Sequence, residues 1–417
     1  MRLLVYPHDL AIGGSQINAI DLAAGVAAAG HDVIVYGVPG PLVSYIEERG
    51  LKFVPASPLR YRPAPSRIAQ IAAIALRERI DLIHAYEWPP CLDAYFGAGL
   101  LGVPLVCTVL SMDVMPHVPA SVPLIMGTAQ LGREAGRIQH GSVWVMEPPV
   151  DTERDNPAID GSGFREMNGV SDNELLVVTV SRLALDLKLD ALVRAIDAAD
   201  LLAEHFPLKL ILVGDGASRE ALTARAHAVN LRHGRKVIAL PGSERDPRAA
   251  YAAADLVIGM GSSALRALAI GRPVVVQGEQ GFSEIFEPAT LPLFLEQGFY
   301  GVAEGSAGAA RLASQIEGLL RDRERMEELG HFGRQVVAER FSLKRAVDLQ
   351  LEIYRNIVVA PPWRRLADSL RSARLALTVE ASNHHPLRKR RKKHQEQELL
   401  TAAGSGFWPP SSLTNAG

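Results

Sequence analysis

Two cations open the functional reading of this 417-residue chain. Arg182 and Lys188 follow an apolar, strand-like run that ends Val180-Ser181-Arg182. Their natural partner is a diphosphate. A guanidinium grips two oxygens in a fork, and an ammonium acts as a point charge. A pair of cations on an ordinary surface would have the same spacing. Gly13-Gly14-Ser15 stands between the first strand-like run and a helical segment. Glycines there let the backbone approach a ligand, and the opening amides of a helix attract an anion. A tight turn with no ligand uses the same residues. Gly261-Ser262-Ser263 repeats the arrangement later in the chain. With Gly259 and Ala264 it also matches a G-x-G-x-x-A dinucleotide pattern, and Glu279 lies twenty residues beyond Gly259. That pattern belongs in a first strand-to-helix turn, whereas this one comes fourth or fifth in its half, before a helix of only about two turns. Gly214-Asp215-Gly216 reads as turn architecture.

His84 ends one strand-like run, and Asp113 and His117 follow the next. All three are expected to face a ligand cleft, with a packed or solvated polar residue as the ordinary alternative. No Ser-His-Asp order, H-E-x-x-H pair or P-loop occurs, and no metal-ligand spacing is present, so no metal is expected. Cys91 and Cys107 lie in apolar settings and read as buried thiols of a protein in a reducing compartment.

The elements that must position these residues alternate between short apolar runs and longer helical segments. Strands are expected at 2–6, 32–36, 52–54, 82–84 and 105–109, with helices at 16–29, 41–49 and 66–79 between them. Ser66 is the expected N-cap, and Gly30 and Gly50 stand where C-terminal glycines belong. The alternation restarts with strands at 175–180, 208–213, 237–239, 256–259 and 273–277 and helices at 189–203, 217–229 and 264–270. Continuously apolar strands separated by helices imply parallel sheets covered on both faces. The fold class is therefore α/β, with two Rossmann-like, doubly wound parallel-sheet domains facing a cleft. The loop-rich stretch 148–169 sets the boundary: domains at 1–160 and 161–340, a helix at 341–358, and a tail at 359–417.

Hydrophobic residues make up 48% of the chain and charged ones 22%, a globular composition that excludes wholesale disorder and a coiled coil. From Ala360 onward there are ten Lys/Arg and four Asp/Glu, so the tail is basic and the body mildly acidic. This argues against a nucleic-acid partner. No signal peptide or membrane-spanning run is expected, which suggests a cytoplasmic protein. Trp363, Leu366, Leu370, Ala373 and Leu377 recur at helical spacing among four arginines, and residues 388–393 are all basic. The stretch 363–393 is thus a candidate contact for the inner face of an anionic membrane. A helix packed on the body with a solvated basic face is the alternative. Residues 382–417 are expected to be mostly disordered.

Taken together the motifs resemble glycosyltransferase family 4, nucleotide-sugar enzymes of the GT-B fold. The resemblance runs from Met1 to Tyr354. Besides the Gly13-Gly14 loop it includes Gly30-His31-Asp32-Val33, Asp81-Leu-Ile-His84, Pro149-Val-Asp151-Thr-Glu-Arg154, Ser181-Arg182-Leu183 with Lys188, Gly214-Asp215-Gly216, Tyr251-Ala-Ala-Ala-Asp255, Ala267–Val275 and Gly281-Phe-Ser-Glu284. It implies transfer of a sugar from a nucleoside-diphosphate sugar to a carbohydrate, lipid or small-molecule acceptor, usually with retention at the anomeric carbon. The sugar nucleotide is the donor substrate, and no cofactor is expected. The resemblance assigns Arg182 and Lys188 to the leaving diphosphate, with Asp113 as a further catalytic candidate. Gly13, Gly14, Ser15, Gly214, Gly242, Gly261, Ser262, Ser263, Arg266 and Glu284 fall on the donor side, and His84 and His117 on the acceptor side.

Two positions depart from the family pattern. Of its two glutamates eight positions apart, the second aligns with Arg266, and the loop of the first is shortened to Gly259-Met-Gly261. An arginine cannot accept ribose hydroxyl protons; it could touch phosphate instead, or Glu284 could take over the ribose. The family's usual "TxHG" histidine is replaced by Leu110. Asp113 or His117 could substitute, or the leaving phosphate could take the acceptor proton. A non-catalytic binding protein of the same fold and a nicotinamide oxidoreductase are the competing readings.

Overall fold

The computed structural model describes residues 1–58, 64–111, 116, 118–303, 308–383 and 386–404. The chain forms two compact units, the first from residues 1–151 and 341–389, the second from 152–340 and 390–417.

The first unit is built on seven strands: β1 (Arg2–Tyr6), β2 (Asp32–Gly37), β3 (Lys52–Pro55), β4 (Leu82–Tyr86), β5 (Leu105–Val109), β6 (Leu124–Met126) and β7 (Val143–Val145). They hydrogen-bond in the order β3-β2-β1-β4-β5-β6-β7 and are all parallel. Alternate residues serve opposite faces. Leu3 and Val5 pack with Ile20, Val26 and Val347, while Leu4 and Tyr6 pack with Ile71, Ile83 and Cys107. Both faces are covered, which explains the unbroken apolar runs. The helix Pro65–Arg77 starts one residue before the expected position, because Pro65, with its fixed φ and missing N–H, suits the first helical turn; Ala64, not Ser66, is the cap. Gly30 and Gly50 take the left-handed conformation after their helices.

The helix Leu343–Arg355 belongs to this first unit. It lies against the helix Gly14–Ala28, where a Cβ on Gly25 would stand 2.4 Å from Val347 Cγ2. Its far end closes a buried polar chain. Tyr354 Oη is 2.7 Å from His84 Nδ1, His84 Nε2 is 2.7 Å from Thr108 Oγ1, and Gln350 Nε2 donates to Tyr354 Oη. Burial drives the His84 imidazole down to about 3, so it stays neutral and bridges two hydroxyls.

The second unit repeats the plan with β8 (Leu175–Val180), β9 (Leu208–Val213), β10 (Ile238–Gly242), β11 (Leu256–Gly259), β12 (Val274–Gln277) and the antiparallel edge strand β13 (Ser283–Ile285). Their order is β10-β9-β8-β11-β12-β13. Strands β6, β7 and β13 were not anticipated; at three residues each they are too short to show periodicity. Pro386–Gly404 is helical rather than disordered, with Leu399 and Ala403 packed on the core of the second unit and Arg225 donating to the Ala403 carbonyl. Residues 405–417 lie outside the described residues.

The buried His84 makes one testable prediction. Its folded pKa lies below the ~6.5 of a free imidazole, so only the unfolded chain gains from protonation. Stability from this site is complete above pH ~6.5 and falls as pH drops toward 3, by about 2 kcal/mol at pH 5. Urea denaturation between pH 7 and 5 should show that loss, and His84→Gln should flatten it.

Candidate active site

In the second unit β8 and β11 lie side by side, while the strands that follow them leave in opposite directions, β9 to one side and β12 to the other. Ligands bind parallel sheets at such a switch point, outside the carboxyl ends of the strands. The loops that emerge there carry Arg182 and Lys188 after β8, Gly214 after β9, Met260–Ser263 after β11 and Glu279 after β12.

Gly214 and Gly216 shape the first of these loops. Both have positive φ, and a Cβ on Gly214 would stand 1.8 Å from the Ser181 carbonyl oxygen. On Gly216 it would meet the Leu183 carbonyl at 2.4 Å. The end of β9 therefore passes directly beneath Ser181–Leu183 and fixes the loop from which Arg182 projects. Gly242 accepts from the Gly214 amide at 2.8 Å through its carbonyl, which locks the next strand end to the same place.

Arg182 is exposed, whereas Lys188 is half-buried and its ammonium lies 2.8 Å from the Met260 sulfur. Burial and then the Arg182 charge lower the Lys188 pKa to about 8, against a weaker opposing pull from Glu279. A thioether is a poor acceptor. Among the described residues no carboxylate lies within ion-pair distance of either cation. Two like charges in a partly desolvated site without a bound counter-charge favour an incoming anion.

The neighbouring helix start contributes less than the sequence suggests. The Gly261 amide donates to the Phe299 carbonyl at 2.7 Å, so it is not available to a phosphate. That leaves the opening amides at Ser262 and Ser263, while Ser263 Oγ accepts from Tyr251 Oη at 3.1 Å. Gly259 earns its place by packing, since a Cβ there would meet the Ala264 backbone at 3.0 Å. Glu279, which sequence reading placed in a dinucleotide pattern, instead accepts from Tyr300 Oη and faces Lys188. Its loop is anchored by Arg194, which donates to Asp190 at 2.9 Å and to the Gly278 carbonyl at 2.7 Å.

Arg266 is held by Asp155 in a bidentate pair, with contacts of 2.9 and 3.0 Å. Burial alone would lower the guanidinium pKa, but Asp155 outweighs it and keeps the charge. The arginine also lies over the Tyr251 ring. Sequence reading missed Asp155, because two opposite charges 111 residues apart leave no local signal. Glu284 on the edge strand is ion-paired to Arg311.

The first unit has its own switch point, between β1 and β4. After β1 the loop is tied by Asp9, which accepts from the Ala11 amide and from Gln16 Nε2, each at 3.1 Å. Gly13 caps the helix Gly14–Ala28, and a Cβ there would stand 2.4 Å from Gln16 Oε1. Ser15 Oγ donates to the same oxygen. After β4, Glu87 holds a positive φ of 67°, an uncommon state for a non-glycine residue. Its carboxylate accepts from the Leu110 and Ser111 amides at 2.9 and 3.0 Å and from Ser111 Oγ at 2.7 Å. Glu87 thus pins the start of the loop that carries Asp113 and His117, which themselves lie outside the described residues. His84 must be corrected: it is fully buried in the Tyr354–Thr108 chain and cannot present a nitrogen to a ligand.

Comparison with known proteins agrees with this geometry. Residues 12–121 match the family model Glycosyltransferase Family 4, and residues 163–336 match Glycosyl transferases group 1. An uncharacterized glycosyltransferase of Methanocaldococcus jannaschii, MJ1607, is 25% identical over 330 residues, which is 68% of this chain and 80% of that protein. A glycosyltransferase from Rickettsia africae is similar in structure with a TM-score of 0.70 at 16% identity, covering 85% of this chain and 98% of that one. Anabaena Alr3699/HepE in complex with UDP-glucose gives 0.68 at 19% identity, covering 86% and 100%. Two parallel-sheet units of this kind define the GT-B class. The chain belongs to the glycosyltransferases of that fold, of the family 4 type.

The Arg266–Asp155 pair generates a prediction. Removing one partner of a buried pair strands the other charge, which typically costs ~3–5 kcal/mol. Thermal denaturation of Arg266→Met should show a loss of that order, and adding Asp155→Leu should restore most of it.

Proposed function

We propose that this chain transfers a sugar from a nucleoside-diphosphate sugar, with the diphosphate held in the second unit by Arg182, Lys188 and the helix start at Ser262 and Ser263. The observation that carries this reading is the cation pair at the β8–β11 switch point, with Arg182 exposed and the half-buried Lys188 set on a thioether rather than in an ion pair. Support comes from the Anabaena protein of similar fold, which was crystallised with UDP and with UDP-glucose.

In such a transfer the bond between the anomeric carbon and the diphosphate oxygen breaks, and negative charge grows on the departing phosphate. The acceptor hydroxyl bonds to the anomeric carbon, and its proton passes to a phosphate oxygen. Arg182 and Lys188 stabilise that growing charge, and a prepositioned donor of this kind is worth ~10²–10³ in rate. The resemblance to family 4 favours retention of anomeric configuration. Gly214, Gly216 and Gly242 set the loop heights that place the cations. Arg266, committed to Asp155, acts as a positioning residue for the helix that bears Ser262 and Ser263.

Arg182→Ala and Lys188→Ala should each cut donor turnover more than tenfold, with folding intact by circular dichroism; wild-type turnover in both would remove the diphosphate site from this loop. The Lys188 pKa of about 8 adds a pH test. An anion binds the ammonium form, so affinity should hold below pH 8 and weaken above it, by at most about tenfold per pH unit. Titration calorimetry with UDP, GDP and ADP from pH 7 to 9.5 checks this, and Lys188→Arg should flatten the profile.

A further inference from the structure

The helix Pro362–Asn383 packs on the first unit with its polarity reversed. Its inward face is polar. Asp368 accepts from the Ser121 amide at 2.8 Å, Arg365 donates to the Gly99 and Leu100 carbonyls at 2.7 and 3.1 Å, and Tyr95 Oη donates to the Arg365 carbonyl at 2.6 Å. Ser369, Ser372 and Ala376 are buried on the same side. The outward face is apolar: Trp363, Leu366, Leu370 and Leu377 are 66%, 61%, 70% and 58% exposed. At about 100° per residue these four fall within an arc of about 60°, roughly opposite the buried set. Val358, just before the helix, is exposed as well.

A soluble domain that docks a helix ordinarily hides its leucines and shows its serines. Here specific hydrogen bonds spend the polar face on the domain and leave a leucine stripe facing outward. We propose that this stripe seats the first unit on an anionic lipid bilayer surface, independently of the donor site in the second unit. The charges select that occupant. Arg374 stands at the edge of the stripe beside Trp363, Arg371 and Arg364 lie further round on the same side, and the sequence continues with six basic residues at 388–393. Arginine stems lie along acyl chains while their heads reach lipid phosphates, and a tryptophan ring suits the same depth. A second copy is disfavoured by the same residues, because an apolar contact through the stripe would take the exposed Arg374 at its edge out of water with no acid in the stripe to pair it. Among the described residues no helix is long and apolar enough to cross a membrane, so the helix lies in the interface plane.

The test is co-sedimentation of the full chain with phosphatidylcholine vesicles containing 0 or 30% phosphatidylglycerol. Binding is expected only with the anionic vesicles. Leu366→Gln with Leu370→Gln should reduce it at least about tenfold. Arg371→Gln with Arg374→Gln should weaken it by about fivefold per arginine at low salt. All four side chains point to solvent or its edge, so the fold and the donor affinity should be unchanged, which separates this proposal from the one above. Equal sedimentation with and without vesicles would overturn it. So would binding that ignores the leucine pair and disappears only when residues 388–393 are neutralised. Concentration-dependent dimerisation abolished by the same leucine pair would assign the stripe to a second copy and overturn it likewise.

Discussion

Partial burial of the Lys188 ammonium, with the Arg182 charge nearby, is the constraint around which the candidate site of the second unit is built. Desolvation, and after it the Arg182 charge, work against the Lys188 ammonium, and the Met260 thioether does little to offset them. The tight passage of Gly214 under Ser181 fixes the loop from which Arg182 projects, the Arg194 anchor fixes the loop of Glu279, and Glu279 is kept on Tyr300 rather than joined to Lys188 in an ion pair. A carboxylate bound directly to Lys188 would relieve the strain and would also compete with any phosphate.

The same unit shows how a changed residue type is absorbed. Arg266 stands on a donor-side helix where the family pattern has an acid. Its charge is neutralised from within the unit by Asp155, so neither group is left alone in a poorly solvated site. The helix keeps its place, and the arginine's fork is occupied by protein rather than held open for a ligand.

In the first unit, burial does the corresponding work with neutral groups. His84, Thr108, Gln350 and Tyr354 form a chain with no net charge that fastens the helix Leu343–Arg355 to the sheet. The next helix then docks through Asp368 and Arg365 and turns its leucines outward. A unit that satisfies its polar groups internally can leave apolar surface for a different solvent.

Much of the fold was legible in the sequence because buried parallel strands are almost continuously apolar; β1, β5, β8, β9 and β11 read directly from such runs. The cations of the candidate site were legible too, since Arg182 and Lys188 are tied to their strand by chain distance. What lay beyond that range was not. The pairing of Arg266 with Asp155, the approach of Glu279 to Lys188, the capture of the Gly261 amide by Phe299 and the burial of His84 each join segments far apart in the chain. So does the orientation of the helix Pro362–Asn383: its spacing shows an apolar and a polar stripe, but only the positions of Ser121 and Gly99 decide which stripe faces the protein. Local pattern determines what each element is, because backbone hydrogen bonding and side-chain periodicity are local. Which charges are neutralised and which faces stay open depends on distances that exist only once the sheets have formed.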